Sequence, residues 1–291
     1  MMEQLKFNVI NFHLTEVCNY RCTYCFAKFK NDNELNFDGW KKAVDIVSDY
    51  YIRNDIKDGR INLAGGEPLV LPFLDKLINY IHSKNIATSI ITNGSFLTKE
   101  RIDRWSNKIE TLGVSIDSLN NETNIIIGRN SGSKTLDINK LIEVLNYAKE
   151  KNIKLKVNTV VSKLNIEENI MPLYEAIDFD RVKLLQVRIQ GNCNESAKKH
   201  EITKEEFKDY VDKIIKRKEN IVIEPEEDIE SSYVIIDPHG NLISNENNYH
   251  QKTGSIFEET LEDLILKSGI NYKTFMKRYV IDEGDKIWIY N

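Results

Sequence analysis

Cys18, Cys22 and Cys25 lie within eight residues of one another, and the chain contains only one other cysteine. Their spacing, C-x3-C-x2-C, places three thiolates on one short loop. Three thiolates can hold three irons of a [4Fe–4S] cube and leave the fourth iron open to bind a small molecule and pass it an electron. A structural zinc site would need a second pair of ligands, which is missing here. The spacing therefore favours an iron–sulfur cluster over a zinc loop or three buried thiols.

Several polar or glycine-containing segments follow strand-like runs in the same part of the chain. Gly65-Gly66-Glu67-Pro68 comes after residues 60–64, Asn93-Gly94 after 86–91, and Asp117 after 111–116. Because the carboxyl ends of parallel strands meet at one edge of a sheet, we expect these segments and the cysteine loop to surround one site. Taken singly, each segment is also compatible with an ordinary turn.

The hydrophobic pattern of the first 190 residues alternates strands with helices. We predict six strands, at residues 8–14, 60–64, 86–91, 111–116, 153–161 and 182–189. Helices are predicted between them, at residues 40–51, 73–82, 98–105, 138–151 and 166–176. This alternation implies a parallel sheet with right-handed crossovers, and six units fall short of a closed eight-unit barrel. We therefore expect an α/β fold, with a partial (β/α)6 barrel in residues 1–190.

Residues 191–291 follow a different pattern. We predict a charged helix at residues 203–218, a short strand at 221–223, a hairpin within 233–243 and a helix at 261–267. This part of the chain is expected to form a C-terminal α+β extension that closes the substrate site.

Composition narrows the class of protein. The formal net charge of −5 argues against general nucleic-acid binding. There is no apolar run of about 18 residues and no signal-peptide pattern, so we expect no membrane association. Four cysteines, three of them clustered, do not suggest a disulfide framework, and a reducing compartment fits better. We expect a cytoplasmic monomer.

Basic and polar residues alternate on two neighbouring predicted strands. Lys156 and Asn158 share one face of their strand, and Arg181 and Lys183 do the same on the next. A buried group of such charges would be costly without an anionic ligand, and a triphosphate carries the matching charge. The alternative is that these side chains end in solvent at the mouth of the strands.

The cysteine loop resembles the signature of the radical S-adenosylmethionine (SAM) enzymes, which places an aromatic residue before the last cysteine, here Tyr24. Gly65-Gly66-Glu67-Pro68 resembles the motif with which these enzymes meet the SAM amino group. The resemblance implies a [4Fe–4S] cluster on the three cysteines and SAM as a consumed cosubstrate, cleaved to methionine and a 5′-deoxyadenosyl radical. The SAM-binding residues it implies are Tyr24, Gly65, Gly66, Glu67, Asn93, Ser115, Asp117 and Arg129.

From residue 6 to about 290, the order and spacing of motifs resemble the viperin family of radical SAM nucleotide enzymes. The matching stretches include residues 11–15, 61–68, 115–118, 124–129, 156–160, 181–186, 191–193, 232–233 and 275–278. The resemblance implies removal of H4′ from a ribonucleoside triphosphate and loss of its 3′-hydroxyl as water. The product would be a 3′-deoxy-3′,4′-didehydro nucleotide, which terminates chains made by viral polymerases.

The same resemblance assigns roles to individual residues. It implies triphosphate binding by Lys156, Asn158, Arg181 and Lys183, with Arg60 and Arg278 as helpers. It implies that Tyr233 supplies the proton for the departing hydroxyl, a role that a phenol can fill. An electron donor such as flavodoxin or ferredoxin is implied as a partner.

This chain departs from the viperin family at three places. Animal members carry an N-terminal amphipathic membrane helix, whereas this chain starts at the barrel and so resembles the shorter, soluble microbial members. Residues 245–254 do not align, which leaves Lys252 as a candidate for a phosphate-binding lysine expected there. Ala64 stands where the family has a hydroxyl residue. The choice among CTP, UTP and GTP therefore stays open.

The remaining cysteine, Cys193, limits the alternatives. A second iron–sulfur cluster would need about three further cysteines, which argues against radical SAM enzymes that carry auxiliary clusters. Two other classes stay open: a radical SAM enzyme acting on a peptide or another small metabolite, and a non-enzymatic iron–sulfur or zinc protein.

Overall fold

An eleven-stranded, mostly parallel sheet organises the computed structural model, which describes residues 6–27, 33–191, 193–216, 220–246, 249–279 and 287–288. The elements of the first part, in chain order, are β1 (Val9–His13), α1 (Phe37–Arg53), β2 (Arg60–Ala64), α2 (Leu74–Ser83), β3 (Ala87–Thr92), α3 (Lys99–Trp105), β4 (Thr111–Ser115), α4 (Asn121–Ile127), β5 (Asn130–Ser131), β6 (Lys134–Thr135), α5 (Ile138–Glu150), β7 (Lys154–Val161), α6 (Met171–Ala176) and β8 (Arg181–Gln186). The elements that follow are α7 (Lys204–Ile215), β9 (Ile221–Glu224), α8 (Glu226–Ile229), β10 (Val234–Ile236), β11 (Asn241–Ser244), β12 (Gln251–Ser255), α9 (Leu261–Lys267), α10 (Tyr272–Tyr279) and β13 (Ile287–Trp288).

The six predicted strands lie side by side in the sheet. They are β1, β2, β3, β4, β7 and β8, and every neighbouring pair among them is parallel. Each connection carries helix, as a parallel pairing requires. The predicted α/β fold is therefore confirmed.

The C-terminal residues extend this sheet at both edges. At one edge, β9 lies parallel beside β8, and β13 follows it. At the other edge, β10 lies parallel beside β1 and continues through the antiparallel strands β11 and β12. The predicted hairpin is β10–β11, closed by a turn in which the Gly240 N–H donates to the Asp237 carbonyl at 3.0 Å. Because one sheet contains strands from both parts of the chain, the domain boundary at 190–191 stays a prediction.

Burial alternates along the strands that carry the polar pattern. In β7, Leu155 and Val157 are buried beneath the helices, whereas Lys156 and Asn158 are only half-buried. Successive side chains of a strand point to opposite faces. One face of β7 therefore packs in the apolar core, and the other face, which carries Lys156 and Asn158, points toward the inside of the barrel. β1 differs, because all five of its residues are buried.

Local signals set most helix ends. The side chains of Thr98 and Asp137 accept backbone hydrogen bonds at the starts of α3 and α5, and Thr203 opens α7 with a capping box. The predicted helix at 166–176 is shorter than expected: α6 begins at Met171, because Pro172 favours the first turn of a helix over its interior. Helix α4 was not predicted. No helix among the described residues is both long and apolar enough to cross a membrane.

Candidate active site

A cavity of about 310 Å³ opens among the parallel strands, beside the cysteine loop. Side chains from β1, β2, β3, β4, β7 and β8 line it, together with the cysteine loop and residues near β10. The predicted site residues in its wall are Cys18, Cys22, Tyr24, Cys25, Gly65, Gly66, Asn93, Ser115, Asp117, Arg129, Lys156, Asn158, Arg181, Lys183 and Tyr233. The structure thus brings fifteen separately predicted positions to one space.

Two glycines allow the cysteine loop to pack tightly against its neighbours. A Cβ atom on Gly66 would lie 2.3 Å from the Val17 carbonyl oxygen, and one on Gly128 would lie 2.2 Å from the Arg21 carbonyl oxygen. Gly128 also has a φ of +88°, which side chains rarely adopt. Because the glycines have no side chains, the two backbones come close enough to form hydrogen bonds, including one of 2.9 Å from the Arg21 N–H to the Gly128 carbonyl. The loop is therefore held from both sides.

Nitrogen donors surround the thiols. The Tyr20 N–H lies 3.3 Å from the Cys18 sulfur, and the Asn93 amide nitrogen lies 3.9 Å from it. An Arg129 Nη1 lies 3.9 Å from the Cys22 sulfur. Such donors stabilise thiolate charge once a metal has displaced the thiol protons. For the protonated thiols, burial raises the pKa of Cys22 to about 12 and also raises that of Cys18.

The three clustered thiols have the donor chemistry that an iron–sulfur cluster needs. None of the four cysteines, all of which the structure describes, forms a disulfide bond. Among the described residues no group of three or more His, Cys, Asp or Glu side chains is arranged to hold one metal ion. An iron–sulfur cube presents a separate iron to each thiolate, so its ligands need not converge on one point. Cys18, Cys22 and Cys25 therefore meet the donor requirements of a cluster.

Asp117 ties the cysteine loop to the sheet. Its carboxylate accepts a hydrogen bond of 2.6 Å from the Tyr24 hydroxyl and one of 2.8 Å from the Val160 N–H. Arg129 forms an ion pair of 2.9 Å with the same carboxylate and donates to the Ser115 carbonyl. Burial alone would lower the pKa of Arg129, but the nearby negative charge of Asp117 outweighs it and raises the pKa further. Arg129 is therefore a fixed positive charge in the wall.

Glu67 lies outside the cavity wall, unlike its neighbours Gly65 and Gly66. It is fully buried and does not line the cavity. Its carboxylate accepts hydrogen bonds from Thr92 Oγ1 at 2.7 Å, the Asn93 N–H at 2.7 Å and the Leu69 N–H at 3.0 Å. The side chain thereby joins the loop after β2 to the end of β3, and its predicted contact with SAM stays a prediction.

The register of the β7–β8 pair brings Lys156, Asn158, Arg181 and Lys183 together in one part of the cavity wall, the basic wall. Lys156 lies opposite Arg181, and Asn158 lies opposite Lys183, across the β7–β8 pair. All four line the cavity, and the Asn158 Oδ1 is buried without a hydrogen-bond partner among the described residues. Lys183 forms an ion pair with Glu224 and donates a hydrogen bond of 2.6 Å to the Tyr233 hydroxyl.

The structure does not place three other residues predicted at the triphosphate in this wall. Arg60 begins β2, at the opposite end of the strand from the glycine loop, and forms an ion pair of 2.6 Å with Glu110. Its predicted role at the triphosphate stays a prediction. Lys252 is exposed on β12 and does not line the cavity. Arg278 lies in α10, but its side chain falls outside the described residues.

Other lining residues were not predicted as site residues. They include Asn11, Asn62, Gln186, Arg188, Gln190, Asn245 and His250. Asn11 and His13 alternate on β1 and both line the cavity, so a period of two could have found them. Gln186, Arg188 and Gln190 are out of phase with Arg181 and Lys183, so the alternation of β8 does not predict them. No local signal marks Asn245 or His250.

Two histidines in the wall are held neutral. Burial, helped by the nearby His250, lowers the pKa of His13 to about 3. Burial and the positive charge of Arg188 lower the pKa of His250 to about 4. The charge of the cavity therefore comes from its arginines and lysines, set against Asp117 as the acidic residue in the wall.

Comparison with known proteins identifies the family. Residues 12–177 match the Radical SAM superfamily. The S-adenosylmethionine-dependent nucleotide dehydratase of Selenomonas ruminantium is 30% identical over 275 residues, covering 93% of this chain and 98% of the relative. The enzyme of the same name from Flammeovirga pacifica is 31% identical over 280 residues, with 92% and 93% covered. The one from Danio rerio is 28% identical over 290 residues, with 95% and 79% covered.

Solved structures show the same fold. Native anSMEcpe with bound AdoMet and a peptide superposes with a TM-score of 0.67 at 15% identity, covering 92% of this chain and 83% of that one. Streptococcus suis SuiB bound to S-adenosylmethionine gives a TM-score of 0.63 at 17% identity, covering 93% and 67%. Membership of the superfamily implies SAM and an iron–sulfur cluster. The chain belongs to the radical SAM superfamily and, within it, to the family of S-adenosylmethionine-dependent nucleotide dehydratases.

Proposed function

We propose that this enzyme removes water from a ribonucleoside triphosphate (CTP, UTP or GTP) to give the 3′-deoxy-3′,4′-didehydro analogue. The observation that carries the proposal is the shared cavity: the cysteine loop and the basic face of β7 and β8 line the same space. A radical formed at the loop would thus meet an anionic substrate held by the strands. The relatives' names support a nucleotide as the substrate.

Cys18, Cys22 and Cys25 would hold a [4Fe–4S] cluster. When bound, such a cluster supplies the electron that cleaves SAM to methionine and a 5′-deoxyadenosyl radical. The backbone of Gly65 and Gly66 would meet the SAM amino group, and Arg129 suits the SAM carboxylate because guanidinium and carboxylate pair well. Asn93, Ser115 and Tyr24 complete the wall around this cosubstrate.

The triphosphate would lie against Lys156, Asn158, Arg181 and Lys183. Charge-assisted hydrogen bonds to phosphate oxygens are strong in a buried site, and the side chains are already collected there by the strand register. Binding in this place fixes the ribose, so that C4′ is the carbon presented to the radical.

Loss of the 3′-hydroxyl needs a proton, and Tyr233 lines the cavity on the side of the basic strands. A physiological one-electron donor, such as flavodoxin or ferredoxin, would supply the electrons. We further propose that the enzyme acts as a monomer in the cytoplasm and that its product is a chain-terminating antiviral nucleotide.

The proposal is tested with anaerobically reconstituted protein, SAM, dithionite and each of the four ribonucleoside triphosphates in turn. Mass spectrometry follows 5′-deoxyadenosine and a nucleotide lighter by one water. We expect both products with one nucleotide in clear excess over the others. Equal, slow formation of 5′-deoxyadenosine with every nucleotide and with none would show radical chemistry on a different substrate, such as a peptide.

A matched pair of variants separates binding from folding. Lys154 and Lys156 lie on the same strand, but Lys154 is exposed and paired with Glu110 at 3.0 Å. Lys156→Gln is expected to raise the KM for the nucleotide, whereas Lys154→Gln is expected to leave it unchanged. Equal effects of the two substitutions would argue against triphosphate binding on β7.

A further inference from the structure

Two residues of the cavity wall, Lys183 and Tyr233, share a buried partner, Glu224, to which the sequence assigned no role. Glu224 ends β9, is 2% exposed and does not line the cavity. It forms an ion pair with Lys183 and accepts a hydrogen bond of 2.8 Å from the Tyr233 hydroxyl. Lys183 donates to the same hydroxyl at 2.6 Å. Each residue therefore contacts both of the others.

The chemistry of the three groups fixes the direction of each bond. An ammonium only donates, and an ionised carboxylate only accepts. The Tyr233 oxygen must therefore accept from Lys183 and donate its hydrogen toward Glu224. Both Lys183 and Tyr233 line the cavity.

Glu224 also decides where Lys183 points. An ammonium has three hydrogens, so Lys183 can contact Glu224, the Tyr233 oxygen and a substrate phosphate at the same time. With Glu224 in place, its ammonium stays against the Tyr233 oxygen and lies 5.2 Å from the centre of that ring. A buried ion pair is costly unless its geometry is closely defined, and here three hydrogen-bonded contacts define it.

We infer that Glu224 is a positioning residue that holds Lys183 on Tyr233, so that Tyr233 can deliver the proton for loss of the 3′-hydroxyl. The inference rests on the proposed function and deepens it. Glu224 itself touches neither substrate nor cosubstrate in this scheme. It acts through the two residues in front of it.

The step balances as follows. After H4′ has been removed, the C3′–O bond breaks and its electron pair goes to oxygen. The Tyr233 hydrogen turns from Glu224 to that oxygen, and its transfer forms water. The phenolate left behind is stabilised by the ammonium of Lys183, and the sugar radical cation takes one electron from the one-electron donor to form the C3′=C4′ bond. A proton from solvent then restores the phenol.

The test uses Glu224→Gln in the full-length, cluster-loaded enzyme with a nucleotide carrying deuterium at C4′. We expect deuterium still to appear in 5′-deoxyadenosine, because hydrogen abstraction does not depend on Glu224. The dehydrated nucleotide formed per 5′-deoxyadenosine should fall about tenfold or more, within the range general-acid catalysis supplies. Substrate radicals that keep their hydroxyl should take one electron from the donor and one proton from solvent, and so return as substrate with solvent hydrogen at C4′. The KM for the nucleotide should change little.

Two further variants keep the result interpretable. Glu227→Gln removes a carboxylate from the same stretch, where Glu227 is exposed and paired with Lys204 at 2.9 Å, and should behave as the wild type. Glu224→Asp keeps the charge that Lys183 needs but withdraws the carboxylate by one carbon–carbon bond. It should fold and still lose coupling, because the effect comes from position.

Three results would overturn the inference. Glu224→Gln or Glu224→Asp could keep the wild-type ratio of products, which would leave no positioning role. Glu224→Gln could instead raise the KM alone, with native iron content and melting temperature, which would make Glu224 part of anion binding. If the wild-type enzyme formed no nucleotide-dependent 5′-deoxyadenosine, the proposed function itself would fall and the inference with it.

Discussion

The buried ion pair between Asp117 and Arg129 should contribute strongly to the stability of the protein. Asp117 is 1% exposed and Arg129 is 9% exposed at their side chains, and Asp117 also accepts from Tyr24 and Val160. Asp117→Asn removes the negative charge and leaves the Arg129 guanidinium buried without its counterion. Removing one partner of a buried ion pair typically costs about 3–5 kcal/mol. We expect a loss of that size in the free energy of unfolding.

The loss is measured by urea unfolding of the reduced, cluster-free protein, followed by circular dichroism at equal protein concentration. The midpoint should fall while the slope stays unchanged, since the substitution alters stability and not the surface exposed on unfolding. Asp103→Asn is the matched control, because Asp103 pairs with Lys151 at 3.1 Å on the surface. Exposed pairs are screened by water, so this variant should unfold close to the wild type.

A second readout links the pair to function. If Asp117 fixes Arg129 for the SAM carboxylate, the cluster-loaded Asp117→Asn enzyme should also bind SAM more weakly in calorimetry, whereas Asp103→Asn should not. Identical unfolding midpoints for the two variants would refute the electrostatic reasoning. Normal SAM affinity in a destabilised Asp117→Asn protein would reduce Asp117 to a structural role.

Three further predictions follow from the same structure. Gly128→Ala should lose bound iron after reconstitution, because its Cβ would lie 2.2 Å from the Arg21 carbonyl oxygen; iron and sulfide analysis measures this. Lys156→Gln should raise the KM for the nucleotide about tenfold or more, the range of one lost charge-assisted hydrogen bond, in steady-state assays. Burial alone would raise the pKa of Asp75, but hydrogen bonds from Trp105 and Arg104 outweigh it and lower the pKa. The folded pKa thus lies below the unfolded one, so Asp75 stabilises at neutral pH, and this contribution disappears as the pH falls through the folded pKa. Urea unfolding of Asp75→Asn at pH 7 and at about pH 3 should show the difference from wild type shrinking.

Each of these predictions has its own control. Gly132 also has a positive φ, of +62°, but nothing lies within 4 Å of a Cβ placed there. Gly132→Ala should therefore keep its iron, and equal iron loss in both variants would assign the effect to backbone strain. Lys154→Gln serves the nucleotide experiment. A difference between Asp75→Asn and wild type that stayed constant with pH would mean that the ionised form of Asp75 contributes nothing.

Several parts of the fold were predictable because they depend on neighbours in sequence. The six parallel strands follow from alternating runs of apolar residues, and the starts of α3, α5 and α7 follow from their capping side chains. The start of α6 was missed although Pro172 marks it. Helix α4 was missed as well, and it brings Gly128 and Arg129 to the cysteine loop.

Within the site, three features could be predicted from the sequence alone. They are the cysteine loop, the glycine loop and the shared strand faces of Lys156 with Asn158 and of Arg181 with Lys183. These are properties of one loop or one strand, where spacing alone decides which side chains share a face. The sequence also placed the cysteine loop and the glycine loop at the carboxyl ends of strands, which in a parallel sheet lie at one edge.

The contacts between side chains on different strands could not be predicted from the sequence and depend on the tertiary structure. It showed Glu224 behind Lys183 and Tyr233, Arg188 and His250 in the wall, and Arg60 at the far end of its strand, paired with Glu110. Such contacts join residues on different strands or loops, so they depend on strand order, register and depth in the barrel. No local pattern carries that information, because the energy that selects each partner arises only when the whole sheet has formed.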